Sequence, residues 1–360
     1  MPDAVADIEP DHPAASDAPL MAELVLAAET GGLRYVADNI SGFSRKRTRS
    51  GFRYLDTAGN PLKDPTQIAR IKSLAIPPGW TDVWICPNKN GHLQATGRDS
   101  RGRKQYRYHN NWREVRDEAK YERMIGFAMQ LPTIRARLEE DIRRPGLSRE
   151  KVIATIIRLL DVTMIRIGNE EYAQANKSFG LTTLRNRHVT IDGAAIEFNF
   201  KGKSGIAHTI RITEPRLARI VRRMRELPGQ ELFQYVDSEG ARHSIGSADV
   251  NEYLKSLTGE NYTAKDFRTW SGTVQTVIAL KALGPSETVT EAKKKIREAI
   301  EVAAKKLGNT PTICRKCYVH PAVLEAYASG VLFEVAGKGV NGEVQPLLDE
   351  QEVFTLKLLQ

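Results

Sequence analysis

The segment that most constrains this chain lies near its C-terminal end: Leu307-Gly308-Asn309-Thr310-Pro311-Thr312-Ile313-Cys314-Arg315-Lys316-Cys317-Tyr318-Val319-His320-Pro321. A glycine stop and a proline start bracket Asn309, and Tyr318 follows nine residues later with Arg315 and Lys316 between. A phenol of ordinary pKa, about 10, is a poor nucleophile at neutral pH. It becomes a good one when fixed cations hold it against a phosphodiester. The segment therefore asks for a fold that brings further cations to Tyr318.

The chain has the means to build one. Its 360 residues suffice for two domains at roughly 100–200 residues each, and 41% are hydrophobic. A net charge of +9 favours a polyanionic partner, nucleic acid or an acidic membrane surface. No apolar run reaches the roughly 18 residues of a membrane span. The N-terminus lacks the basic start and apolar core of a signal peptide. Three cysteines fit a reducing compartment without a disulfide framework, so the expected location is cytoplasmic.

Residues 1–33 carry seven acids and no Lys or Arg. Positions 3–18 read as a disordered tail and 20–28 as a short helix. Residues 34–108 read as a small β-rich domain. Its strand signals are 52–56 before Gly59-Asn60-Pro61, then a hairpin of 82–86 and 92–96, with a short helix over 64–74. Residues 109–360 read as mainly helical, with helices over 113–130, 133–144, 148–165, 214–226, 248–257, 264–283, 286–307, 312–329 and 350–359. One β interruption, 189–191, 195–200 and 206–211, turns at Asp192-Gly193. The predicted class is α+β: a β-rich N-terminal domain and a larger, mainly α-helical catalytic domain with a small sheet.

Transfer of a phosphodiester without metal needs fixed donors on the equatorial oxygens and an acid for the leaving alkoxide. Arginine suits the first task because its planar fork meets phosphate and stays charged. Arg166 sits near the end of an apolar helix, just before Gly168, in Thr163-Met164-Ile165-Arg166-Ile167-Gly168; a plain surface arginine fits as well. Lys203 occupies the sheet turn Phe200-Lys201-Gly202-Lys203-Ser204-Gly205, either projecting into a groove or solvated. This is no P-loop, since position 197 is Glu where that motif needs Gly. Lys265 and Arg268 open a helix three residues apart, on one face.

Together these segments resemble the type IB DNA topoisomerases, in particular the compact poxvirus and bacterial kind, from about Tyr35 to the C-terminus. The order Arg166, Lys203, Arg268, Asn309, Tyr318 follows the family's Arg–Lys–Arg–His/Asn–Tyr pentad. The Arg-x-Gly-x-x-x-Tyr run, the Phe-x-Gly-Lys turn, the Lys-x-Phe-Arg-Thr helix start and the Asn-to-Tyr gap match as well. The resemblance implies that Tyr318 attacks the scissile phosphate to form a 3′-phosphotyrosyl link and expel a 5′-hydroxyl. Arg166 and Arg268 would hold nonbridging oxygens, and Lys203, alone or with Arg166, would act as general acid. Asn309 would donate a hydrogen bond where poxvirus relatives carry His. The bond energy stays in the phosphotyrosine, so no ATP or other cofactor is implied. The expected partner is duplex DNA, acted on by a monomer, in the nucleoid.

The basic run Arg101-Gly102-Arg103-Lys104-Gln105-Tyr106-Arg107-Tyr108 supplies candidate DNA contacts. Arg103 and Lys104 would neutralise phosphates, while Gln105, Tyr106, Tyr108 and Tyr172 are contacts that the resemblance carries over. Lys265 joins them. Residues 44–50 form a second basic patch, a flexible loop on DNA or a solvated charge run. Two domains joined near 102–112 would close on a duplex as a clamp. Cys314-x-x-Cys317-x-x-His320 has only part of a zinc spacing, and Cys86 lies far off in sequence, so no metal site is expected. Two rivals remain. A tyrosine recombinase typically shows His-x-x-Arg where this chain has Lys265-x-x-Arg268. A basic architectural DNA binder would not need five ordered residues.

Overall fold

The computed structural model describes residues 18–337 and 346–360. It falls into two compact units, residues 1–122 and 123–360, which divide within one long helix. The expected disordered tail lies outside the described residues except for Ala18, which opens a helix.

The first unit contains α1 (Ala18–Thr30), β1 (Phe43–Thr48), β2 (Gly51–Leu55), α2 (Pro65–Ser73), β3 (Thr81–Ile85), β4 (Leu93–Arg98), β5 (Lys104–Tyr108) and the start of α3 (Asn110–Arg143). The strands form one antiparallel sheet in the order β2-β1-β3-β4-β5. Helix α2 starts where Asp64 accepts the Thr66 N–H at 2.8 Å and Pro65 presets the first turn. Its Ile71 is buried with Val83, Ile85 and Ala95 of the sheet. The basic run 44–50 is not a loop but β1 and its turn into β2. Arg45 there donates to the carbonyls of Ile76, Pro77 and Trp80 at 2.9–3.1 Å and stacks on Phe52, so its guanidinium ties the sheet together.

The second unit holds the rest of α3, then α4 (Arg149–Thr163), α5 (Glu170–Asn176), β6 (Val189–Asp192), β7 (Ala195–Lys201), β8 (Ala207–Thr213), α6 (Pro215–Arg225), β9 (Gln234–Val236), β10 (Arg242–Ser244) and α7 (Ser247–Thr258). It continues with α8 (Ala264–Leu283), α9 (Val289–Leu307), α10 (Pro311–Tyr318), α11 (Pro321–Ser329), α12 (Val331–Gly337) and α13 (Glu350–Leu359). The fold class is the expected α+β, a β-rich N-terminal region and a helical catalytic domain. Helix α8 is the hub, packing against α4, α9, α10, α11 and α13. Strands β6, β7 and β8 form a three-stranded antiparallel sheet.

Among the predicted helix boundaries that move, three do so for a clear local reason. The helices predicted over 113–130 and 133–144 are one, α3, running through Pro132. Ala128, Leu131, Ile134 and Leu138 are buried on both sides of that proline, and their packing holds the helix across the lost hydrogen bond. The helix predicted to 165 ends at Thr163, because Met164 takes a left-handed conformation with φ 57°. The helix predicted over 312–329 is two, α10 and α11. Pro321 disfavours helical geometry at His320, which instead caps α11 by accepting the Ala322 N–H at 3.1 Å.

Candidate active site

All five residues of the predicted pentad fall in the second unit, Arg268 on α8 itself and the other four on four segments around it. The first is the loop after α4. Its left-handed Met164 leads into Arg166, so Arg166 lies beyond the helix rather than at its end. The backbone here is clasped against residues 180–182: Leu181 N–H donates to the Arg166 carbonyl at 2.8 Å and Thr182 N–H to that of Ile167 at 2.7 Å. A Cβ on Gly180 would come within 2.5 Å of the Arg166 oxygen, so only glycine permits this approach.

The second connection is the tight turn between β7 and β8. Gly202 N–H bonds the Ile206 carbonyl at 2.8 Å, and Ser204 and Gly205 both take positive φ. This presents Lys203 at the sheet's tip. Third is the end of α9, where Gly308 adopts φ 61° and Asn309 N–H reaches back to the Ala304 carbonyl at 2.9 Å. That Schellman-type stop fixes Asn309. Last, α10 begins at its Thr310 cap and ends on Tyr318 itself.

Helix α8 registers these parts. Arg268 is only 4% exposed; it donates to the carbonyls of Met164 and Leu307, the latter at 2.8 Å. One turn later, Gly272 lets the Tyr318 backbone approach so closely that a Cβ would lie 2.6 Å from its carbonyl oxygen. Thr273 then donates to that oxygen at 3.2 Å and accepts the His320 N–H at 3.1 Å. The Arg268 guanidinium carbon sits 5.3 Å from the centre of the Tyr318 ring. Arg166 donates to the Asn309 side-chain oxygen.

A pocket lined by Arg166, Lys203, Arg268 and Lys306, with His208 but no acidic residue, opens between the loop after α4, the β7–β8 turn and the end of α9; neither Asn309 nor Tyr318 lines it. Among the described residues, Arg268 Nε and Asn309 Nδ2 are buried without a hydrogen-bond partner. Burial, aggravated by Arg166 and eased by Tyr318, pushes the Arg268 guanidinium down to about 10. Arginine still keeps its proton at neutral pH. A buried cation with too little compensation and two orphaned donors make a place prepared for an anion.

The remaining candidates fall elsewhere. Arg315 and Lys316, between Asn309 and Tyr318 in sequence, are exposed on α10. Lys265 is exposed in the first turn of α8 while Arg268 is buried, so the two do not present one functional face, and Lys265 does not line the pocket. Tyr172 is 44% exposed on α5, its N–H held by Asn169 at 3.0 Å. In the first unit, Arg103 pairs with Asp99 at 2.7 Å and Lys104 with Asp38 at 2.6 Å. Gln105 donates to Asp99 at 3.1 Å, and Tyr106 and Tyr108 stack along one face of β5, ring centres 6.1 Å apart. Cys314 is buried in the core, its thiol pushed up to about 11 by burial. Among the described residues no three metal-binding side chains converge, and no helix is long and apolar enough to cross a membrane.

Sequence reasoning missed His208, Gly272 and Thr273. A signal for the first was available: His208, Ile210 and Ile212 alternate along β8 and share its less exposed face.

Residues 109–332 match the family described as the catalytic core of eukaryotic DNA topoisomerase I, and residues 51–99 match the N-terminal domain of bacterial DNA topoisomerase IB. DNA topoisomerase 1B of Acanthamoeba polyphaga mimivirus is 31% identical over 306 residues, spanning 83% of this chain and 91% of that protein. DNA topoisomerase 1B of Vaccinia virus (strain Copenhagen) is 23% identical over 287 residues, 78% of this chain and 88% of that protein. DNA topoisomerase 1 of Schizosaccharomyces pombe is 25% identical over 177 residues, 49% of this chain but 21% of that protein.

Proposed function

Because the chain belongs to the DNA topoisomerase I family of type IB, we propose that it relaxes supercoiled duplex DNA by cutting and resealing one strand through Tyr318. The phenol oxygen attacks the scissile phosphorus as the P–O5′ bond breaks, leaving a 3′-phosphotyrosyl enzyme and a free 5′-hydroxyl end. Arg166, Arg268 and the Asn309 amide hold the nonbridging oxygens as charge gathers there. Lys203 gives its proton to the departing 5′-oxygen. The free end rotates, and the 5′-hydroxyl then attacks the phosphotyrosine to reseal the strand. Energy is conserved in the phosphotyrosine, so ATP has no part, and the side chains supply every role without a metal.

The observation that best supports this reading is a pair of partnerless buried donors among the described residues: Arg268 Nε, on a side chain that lines the cationic pocket, and Asn309 Nδ2, on the amide whose oxygen accepts from the pocket's Arg166. A phosphodiester supplies the missing acceptors and charge. In the same reading residues 34–108 form a clamp domain, and Arg103, Lys104, Gln105, Tyr106, Tyr108, Tyr172 and Lys265 meet DNA. The protein acts as a monomer on DNA in the cytoplasm. Plasmid relaxation in EDTA without ATP tests the proposal: full relaxation of either sign of supercoil is expected, and loss of activity on chelation contradicts it.

A further inference from the structure

The imidazole of His208 lines the pocket and has no task in that mechanism. His208 is the second residue of β8, paired in register with Phe200, on whose ring it stacks at 5.1 Å and 18°. Its imidazole fills a gap between two glycines. A Cβ on Gly202 would lie 2.7 Å from Nε2, and one on Gly308 would overlap Cε1. Gly202 immediately precedes Lys203, and Gly308 immediately precedes Asn309. The ring therefore touches both connections that carry these residues. Among the described residues it makes no hydrogen bond that would give the ring another purpose. Arg166, Lys203, Arg268 and Lys306 line the pocket with it. Burial first, then Arg166 and Arg268, lowers its proton affinity, so the ring adds no further charge at neutral pH.

We propose that His208 is a positioning residue, a wedge that sets the separation between the Lys203 turn and the Asn309 cap. Neither connection has internal means to fix that distance. The turn is held by its own hydrogen bonds and the cap by those of α9. The ring between them keeps the acid and the oxyanion donor in register on one phosphate. Only glycines at 202 and 308 leave room for it. The proposal rests on the reading of Lys203 as general acid.

The test is single-turnover cleavage of a duplex carrying either the normal 5′-oxygen or a bridging 5′-sulfur at the scissile phosphate. A thiolate leaves without a proton, so sulfur removes the need for Lys203. With His208→Ala, a misplacement near 1 Å predicts a loss of about 10²-fold on the oxygen strand. The share of that loss owed to Lys203 should return on the sulfur strand, with melting temperature and DNA affinity near wild type. His208→Phe keeps a planar ring without nitrogen, and His208→Gln is smaller and does not titrate; at least one should cleave the oxygen strand near the wild-type rate. Both variants as slow as His208→Ala would show that the ring nitrogens matter and overturn the wedge. So would a His208→Ala rate close to wild type. An equal His208→Ala defect on both strands, while Lys203→Ala is rescued by sulfur, would overturn the coupling to Lys203. If Lys203→Ala is itself not rescued, the acid assignment fails, and the Ala, Phe and Gln rates alone decide on the wedge.

Discussion

Arg166 donates to the side-chain oxygen of Asn309, and the Asn309 nitrogen is left buried without an acceptor. The arginine thereby settles the orientation of the amide, since the reverse orientation would oppose two donors. Asn309→Ala is expected to slow cleavage by about 10²-fold, as loss of one oxyanion donor does. Filter binding should show DNA affinity unchanged. Asn309→His keeps a donor but makes it titratable. Its rate should gain a pH dependence near the ordinary imidazole value of about 6.5 that the parent lacks. Equal pH profiles for the two would remove Asn309 from the phosphate.

Gly272 is the point where α8 accepts the backbone of the nucleophile. Gly272→Ala sets a methyl 2.6 Å from the Tyr318 carbonyl oxygen and 2.8 Å from its Cβ. Backbone cannot yield there without moving the phenol. Cleavage should fall by about 10²-fold, the scale of a 1 Å displacement. Single-turnover kinetics beside a binding assay would separate this from lost affinity, and an unchanged rate would show that the contact does not set the position of Tyr318.

Acid should destabilise the protein by a route that the histidines define. Burial lowers the proton affinity of His109, His188 and His208, and neighbouring arginines add to it at the last two. Below about pH 6.5 the unfolded chain then binds more protons than the folded one, so stability held above that value falls as pH drops. Thermal melts should move downward from pH 7.5 to 5.5. A melting temperature that rises over that interval would contradict the sign.

The C-terminal helix is fastened by a buried ion cluster. Arg135 on α3 donates to Glu352 at 2.6 and 2.9 Å and to Asp161 at 2.9 Å through two nitrogens. Trp270 on α8 donates to the same Glu352 at 3.0 Å. Glu352→Ala would leave Arg135 half-paired and the indole N–H without an acceptor. The expected loss is about 3 kcal/mol, typical of breaking a buried pair from one side. Urea denaturation would measure it, and a change below about 0.5 kcal/mol, the usual surface value, would mean the cluster relaxes.

Part of the candidate site's linear order was readable because some of its residues sit beside a glycine or proline that punctuates the sequence. Gly308 and Pro311 bracket Asn309, and Gly202 precedes Lys203. What escaped was contact between connections. Nothing near Gly272 in sequence says that Tyr318 will rest on it, and His208 meets Gly308 across a separation of 100 residues. The split of α10 from α11 was legible in Pro321, but apolar periodicity on both sides of it reads as one helix. Pro132 misled in the opposite sense, because burial of Leu131 and Ile134 outweighs the break it signals. Arg45 looked like a free cation, and only the fold reveals the three carbonyls that hold it.

The most direct test of the account is covalent trapping. Detergent is added during cleavage of a duplex labelled on the scissile strand, with EDTA present, and protein-linked label is counted for the parent and for Tyr318→Phe. The parent should retain label on the fragment ending in a 3′-phosphate linked to Tyr318, and the variant should retain none while binding the duplex as tightly. A labelled adduct from Tyr318→Phe, or an adduct mapped to another residue in the parent, would contradict the account.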